Sequence, residues 1–348
     1  LTLIIVWTTL FEINGGTSMK LEDIGFYTLS DSRAKNLSET SPMQRCEMLV
    51  TPRCNFKCPY CRGFKSISED CSEDINFDIA KEVLNIWIKD NLQNVRFSGG
   101  EPTLYPHLVD LVKICKDGGV KRIAISSNGS ADFEVYEKLI EAGVNDFSIS
   151  LDSCCSSFGN AMTGVKGNNW EKVVENIPKI SKLTYVTVGI VLTETNVHQT
   201  KDIIKFAHDL GVADIRIISA AQYNELIKGL EGLDKNILES HPILKYRVNN
   251  LNNGKNVRGM SEKDCNKCYI VKDDAVVAGN SKEAWHFPCV IHMREGGTAI
   301  GKVGPNMRKE RIEWFKNHNS FEDKICRVNC LDCIVQHNNN CSEYAKIS

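Results

Sequence analysis

The chain has 348 residues, 42% of them apolar and 25% charged, an ordinary globular composition long enough to bury a full core. A formal net charge of −2 excludes a broad basic face for gripping a nucleic-acid backbone. Fifteen cysteines, an odd number over a long chain, make a poor disulfide framework and read as metal or cluster ligands in a reducing cytoplasm.

Leu1 to Phe11 is apolar, about half of the ~20 residues that span a bilayer. It also lacks the charged n-region of a signal peptide, so no membrane anchor is expected. Gly15-Gly16 lies three codons before Met19, and two glycine codons can read GGAGG, a ribosome-binding sequence. Residues 1–18 are therefore expected to be a non-native or disordered leader, with residues 19–45 a lead-in to the fold.

Over residues 46–220, short apolar runs alternate with helix-period segments. Predicted strands are Glu47–Thr51, Val95–Ser98, Arg122–Ser126, Asp146–Leu151, Val186–Leu192 and Asp214–Ile218. Between them, Ile79, Val83 and Ile86, and again Ile203, Ala207 and Leu210, recur at helical spacing, and Gly143 and Gly211 are expected helix stops. Six strand–helix units imply parallel strands with right-handed crossovers, either a six-unit partial barrel or an open α/β sheet. Either way, ligands belong at the C-terminal strand ends.

After the first strand comes Cys54-Asn-Phe-Lys-Cys58-Pro-Tyr-Cys61. Three thiolates in one loop can hold three irons of a 4Fe–4S cubane and leave the fourth open to a ligand. A structural zinc site would want a fourth nearby ligand, and this loop has none.

The motif, with Tyr60 before its last cysteine, resembles the signature of the radical S-adenosylmethionine superfamily over about residues 46–220. Later strand ends are similar to the family pattern too: Ser98-Gly99-Gly100-Glu101-Pro102, Ser127-Asn128 and Ser150-Leu-Asp152. The resemblance implies a partial (β/α)6 barrel with a cysteine-rich C-terminal extension. It further implies a cluster on Cys54, Cys58 and Cys61, with Tyr60 against the adenine of S-adenosylmethionine. Ser98, Gly99, Gly100, Glu101, Ser127, Asn128, Ser150 and Asp152 become candidate cofactor contacts. The chemistry implied is reductive cleavage to methionine and a 5′-deoxyadenosyl radical, with flavodoxin or ferredoxin as electron donor.

The extension, residues 221–348, carries seven cysteines. Cys265, Cys268, Cys289 and His292 have the ligand types of a zinc site. Cys326, Cys330, Cys333 and Cys341 form a second set within sixteen residues. Zinc and an auxiliary 4Fe–4S cluster both remain open, because thiolates suit either. His337 is a further candidate ligand or a packed histidine. Seven cysteines also occur in the SPASM type of extension, but its Cx2Cx5Cx3C run is missing here. Cys46 and Cys115 are expected to be buried small residues, and Trp87, Trp170 and Trp314 packing residues.

The whole layout, including Gly25-Phe-Tyr-Thr-Leu-Ser-Asp-Ser-Arg33 and the compact cysteine-rich tail, resembles the queuosine lyases of queuine salvage. That resemblance implies a small-molecule nucleotide substrate, with hydrogen abstraction from the ribose of queuosine 5′-phosphate and expulsion of queuine. Arg216, Gln222, Asn224, Arg258, His292 and Arg294 are the candidate substrate contacts. The alternative is a peptide- or protein-modifying radical enzyme with auxiliary clusters. Only residues 19–45 precede the first strand, which leaves little room for a peptide-recognition domain and favours the lyase.

Overall fold

A computed structural model describes residues 20–24, 27–223, 227 and 230–347, so the expectation for residues 1–18 lies outside the described residues. Helix α1 (Asp31–Asn36) precedes β1 (Arg45–Thr51). Then come α2 (Phe77–Lys89), β2 (Asn94–Gly99), α3 (Leu108–Asp117), β3 (Arg122–Ser127), α4 (Phe133–Ala142) and β4 (Asp146–Ser150). Two helices, α5 (Ser156–Thr163) and α6 (Asn169–Ser181), lead to β5 (Tyr185–Leu192), and α7 (Thr200–Asp209) leads to β6 (Asp214–Ser219). The extension supplies α8 (Lys235–Ser240), α9 (Pro242–Asn252), β7 (Asp274–Gly279), β8 (Ala284–Phe287) and α10 (Val290–Arg294). It ends with β9 (Gly301–Lys302), α11 (Met307–Asn317), α12 (Lys324–Asn329) and α13 (Asp332–Ile347). Among the described residues, no helix is long and apolar enough to cross a membrane.

The six expected strands form and pair in parallel in sequence order, with ends within two residues of the expectation. The sheet does not stop at β1. β7 pairs in parallel with its free edge, Arg45 opposite Asp274, and antiparallel β8 and β9 follow. The extension therefore continues the barrel sheet. Sequence periodicity missed β7 because all six of its residues are buried, which removes the alternation that marks a one-faced strand.

Strand alternation divides the barrel wall. Met48, Val50, Phe97, Ile125, Phe147, Ile149, Val188 and Ile217 face the helices and are fully buried. The opposite positions, among them Glu47, Arg96, Ser98, Ser148, Thr187 and Arg216, face inward and are polar. On α2, Asn76 caps the first turn, accepting from Asp78 N at 2.9 Å, and Ala80, Val83, Leu84 and Trp87 are buried. The expected stripe of Ile79, Val83 and Ile86 is thus turned by one position, because Trp87 takes the core. Gly143 (φ 130°) and Gly211 (φ 76°) end α4 and α7 as expected.

At the N-terminal ends of the strands, Ile24 and Tyr27 of the lead-in pack with Ile243, Ile270 and Ile334 of the extension. Buried ions fasten this seam. Arg33 reaches Asp273 at 2.7 Å and Asp274 at 3.4 Å, and Arg45 reaches Asp274 at 2.5 Å. Asp214, at the start of β6, accepts from Ile243 N at 3.1 Å, and burial pushes its carboxyl up to about 7.

Candidate active site

The loop after β1 carries Cys54 and Cys61 exposed and Cys58 half-buried at the C-terminal end of the barrel. Three neighbouring strand ends hold it. From β2, Gly100 N donates to Thr51 O and Glu101 N to Arg53 O, both at 2.7 Å. From β3, Asn128 Nδ2 donates to Asn55 Oδ1 at 2.8 Å, while Asn55 Nδ2 donates to Ser130 Oγ at 2.9 Å. After β4, Lys57 N donates to Thr163 O at 2.7 Å. Two of these approaches demand glycine. A Cβ at Gly100 would lie 2.1 Å from Arg53 O, and one at Gly164, where φ is +66°, 2.1 Å from Lys57 O.

Glu101 is a buried knot rather than a free ligand. Its Oε1 accepts from Thr103 N, Thr103 Oγ1 and Ser127 Oγ at 2.8–3.1 Å, and its Oε2 accepts from Asn128 N at 2.7 Å. The side chains of Glu101 and Ser127 are thereby engaged within the protein. Ser98 donates to Glu47 Oε1 at 2.9 Å in the lumen. Tyr60 donates its hydroxyl to Asp152, whose other oxygen accepts from Val191 N at 2.7 Å. Burial pushes the Asp152 carboxyl up to about 6 despite these bonds. Ser150 is exposed at the barrel mouth.

The donor set fits an iron–sulfur cluster. Burial, Asp152 and the two sister thiols together push Cys58 up to about 12, which opposes its ionisation. Bound iron removes that opposition, because cluster ligands bind as thiolates. Asn128 Nδ2 also sits 3.9 Å from Cys54 Sγ, a polar second contact for the sulfur.

The substrate candidates scatter. Arg216 points into the lumen, where Arg96, Asp146, Ser148, Thr187 and Arg216 border a space of about 290 Å³, open solvent included, together with Ile24, Tyr27 and Ile243 at the N-terminal strand ends. Gln222 donates to Tyr60 O at 3.3 Å and so does reach the cysteine loop. Arg294 donates to Gly63 O at 3.4 Å and Gly99 O at 3.2 Å, bracing that loop. Arg258 donates its guanidinium to Ser219 O and Asn329 O, which ties the end of α12 to the end of β6. His292 is paired at 3.1 Å with Asp323, beside Cys289 and Cys326 rather than the residues around Arg216. Asn224 lies outside the described residues. Glu47, Arg96, Asp146, Ser148 and Thr187 were missed, although polar residues at alternate positions of apolar strands were a readable sign.

The two C-terminal cysteine sets exchange members. Cys268 and Cys289 line one cavity with Cys326, Cys330 and His292. Cys333 is packed with Tyr27 and Ile24. Cys341 lies 3.4 Å from His337 Nε2, and Cys265 accepts from Lys267 N. Cys268, Cys289 and Cys330 pack in the same apolar cluster as Cys333.

A family model described as the radical SAM superfamily matches residues 48–207. Over 220 residues the chain is 29% identical to a protein of Sulfurisphaera tokodaii named "Probable GTP 3′,8-cyclase", the match covering 58% of this chain and 69% of that protein. It is 28% identical over 189 residues to the PqqA peptide cyclase of Bradyrhizobium diazoefficiens, covering 53% and 48%. The chain thus spans about half to two thirds of the curated relatives it matches. Among solved structures, Streptococcus suis SuiB bound to S-adenosylmethionine superposes with a TM-score of 0.54 at 14% identity, covering 80% of this chain and 66% of that one. That last likeness is one of fold.

Proposed function

The chain belongs to the radical S-adenosylmethionine superfamily, and from that premise we propose that it acts on the ribose of a small nucleotide, specifically queuosine 5′-phosphate. The family's 4Fe–4S cluster supplies one electron to S-adenosylmethionine, which yields methionine and a 5′-deoxyadenosyl radical. Cys54, Cys58 and Cys61 hold the cluster. Tyr60, the backbone of Gly99 and Gly100, Asn128 and Asp152 would border and orient the cofactor beside it. Ser98, Glu101 and Ser127 act behind them, through the strand ends they join, and Ser150 is a candidate contact at the barrel mouth.

One observation carries the nucleotide reading: Arg216 stands in a polar lumen with its Nε buried and without a hydrogen-bond partner among the described residues. Burial lowers the Arg216 pKa, against the nearby Glu47 charge that favours the cation. An anionic ligand would relieve the buried guanidinium, and a phosphate is matched to its planar fork. Ser148 and Thr187 add hydroxyls for a sugar edge. The relative named for a GTP cyclase supports a nucleotide as the substrate class.

The test is anaerobic turnover with queuosine 5′-phosphate, following queuine and 5′-deoxyadenosine by mass spectrometry. Stoichiometric release of both is expected. Uncoupled 5′-deoxyadenosine with no base released, from this or any other nucleotide, sinks the reading. Arg216→Met should raise KM for the phosphorylated substrate about tenfold or more, a loss of roughly 1.5–3 kcal/mol for a charged hydrogen bond, with a much smaller effect on the unphosphorylated nucleoside.

A peptide substrate is the second reading, favoured by the relative named PqqA peptide cyclase. It predicts a thioether, carbon–carbon or similar cross-link on a precursor peptide and no dependence on Arg216 for a phosphate.

A further inference from the structure

We infer that Arg294, at the end of α10, is a positioning residue that sets the cysteine loop against the Gly99 strand end for S-adenosylmethionine. The inference rests on the family assignment and is independent of the nucleotide reading. The role differs from the substrate contact expected for Arg294.

Two different bodies hold the cysteine loop. Its first half is fixed by the barrel, through Thr51, Arg53, Asn55 and Lys57. Its second half, after Cys61, lies along the extension. Phe64 and Ile67 pack with Val290 and Met293 of α10, in an apolar cluster that also holds Leu49 of β1 and Phe287 of β8. Ser68 Oγ donates to Gly297 O at 3.0 Å, and Arg62 pairs with Glu295 at 3.1 Å. Gly296 runs so near the loop that an added Cβ would lie 2.9 Å from Ser66 O.

Arg294 joins the two bodies. Its Nη1 donates to Gly63 O, two residues past Cys61, at 3.4 Å. Its Nη2 donates to Gly99 O, at the end of β2, at 3.2 Å. A planar guanidinium presents such donors as a rigid fork, so it holds both carbonyls at one separation. Gly99 is also pressed against β1, where an added Cβ would lie 2.4 Å from Thr51 O. The strand end is thus fixed by β1 through its Cα and by the extension through its carbonyl.

The two carbonyls belong to different halves of the site. Gly99 lies in the backbone that would border the cofactor, and Gly63 follows the last of the cluster cysteines. A change in their separation shifts the seat of the cofactor relative to the metal it must meet. Misplacing reacting groups by about 1 Å can cost on the order of a hundredfold in rate. A lysine keeps the charge, but its flexible stem and single ammonium offer no fixed fork.

The experiment uses the full chain, reconstituted without oxygen, as wild type, Arg294→Lys, Arg294→Ala and Glu295→Gln. Iron and acid-labile sulfide are counted per chain. The reduced protein is then titrated with S-adenosylmethionine and followed by electron paramagnetic resonance, with no nucleotide present. Both Arg294 variants should keep the wild-type iron and sulfide. They should need about tenfold more S-adenosylmethionine, or higher, for the same spectral change, as expected on losing a charge-assisted hydrogen bond. Glu295→Gln cuts the neighbouring ion pair and should respond as wild type does. Full affinity in Arg294→Lys overturns the inference, since charge rather than the fork would then suffice. So does an equal loss in Glu295→Gln, which would make the contact a general strut, and so does loss of iron from Arg294→Lys. A wild type with no response overturns it too, because there is then no seat to position. Arg294→Lys keeps the stem and the charge, so it decides the matter even if Arg294→Ala fails to fold. Omitting the nucleotide keeps this result separate from the fate of the queuosine reading.

Discussion

Thiols converge twice in this chain, under opposite conditions. Cys54, Cys58 and Cys61 sit on one loop at the barrel mouth, two of them exposed. Cys268, Cys289, Cys326 and Cys330 meet between three segments under apolar cover. An exposed loop can exchange a ligand on its metal, but its own folding contributes little to stability. A buried crossing of segments has the reverse character: whatever binds there also fastens α10, α12 and the turn into β7. The first place suits turnover and the second suits retention.

Removing the loop thiols is the sharpest probe of that contrast. Changing Cys54, Cys58 and Cys61 to Ala should reduce 5′-deoxyadenosine formation to background, read by chromatography. The urea midpoint should move little, because two of the three sulfurs are exposed. Retained cleavage, or a large loss of stability, breaks the comparison.

Next in size is the ion cluster at the seam between the lead-in, the barrel and the extension. Asp274→Ala takes a carboxylate from Arg45 and weakens the hold on Arg33, whose side chain is 8% exposed. Orphaning buried charge costs about 3–5 kcal/mol, which equilibrium urea unfolding will register.

The same seam should be pH-sensitive. Asp214 has a folded pKa near 7, above the unfolded value, because burial favours its neutral form. The folded state then binds more protons than the unfolded one between about pH 4 and 7, so its contribution is full below that window and is lost as pH rises through it. The loss should be on the order of 2–4 kcal/mol, from a shift of about three units. Asp214→Asn should flatten the slope, measured as urea midpoints against pH.

Gly100→Ala should cost less stability than either carboxylate change and still weaken the loop. Its Cβ would meet backbone at Arg53 O, 2.1 Å away, so strands β1 and β2 must part. Overpacking of this kind costs about 1–3 kcal/mol. Iron retained by the loop should fall with it.

Much of the barrel was legible because its signals are short-range. Val186–Leu192 is a run of apolar and β-branched residues, and β5 forms there with one added residue. Gly143 stops α4 where a positive φ is required. The Gly99-Gly100 pair was legible as a site of close approach, yet the approaching group is the backbone of residues 51–53. Helix α5 escaped notice because Ser156–Thr163 has no apolar stripe, and its end holds Lys57 through backbone alone. Arg258 looked like a ligand for an anion, but its donors meet carbonyls that only the folded chain brings near.

The amino-acid sequence by itself determined the three-thiol loop, the six parallel strands and the glycine-bearing strand ends, since each depends on residues a few positions apart. Tertiary structure alone decided that β7 joins the edge of β1 and that Cys268 faces Cys326 rather than Cys265. It also decided that Arg216 stands without a partner at its Nε inside the barrel. The physical reason is the range of the interaction. Dihedral preferences and side-chain period act locally and are written in spacing, whereas sheet order and the company of a buried side chain depend on packing the whole chain at once.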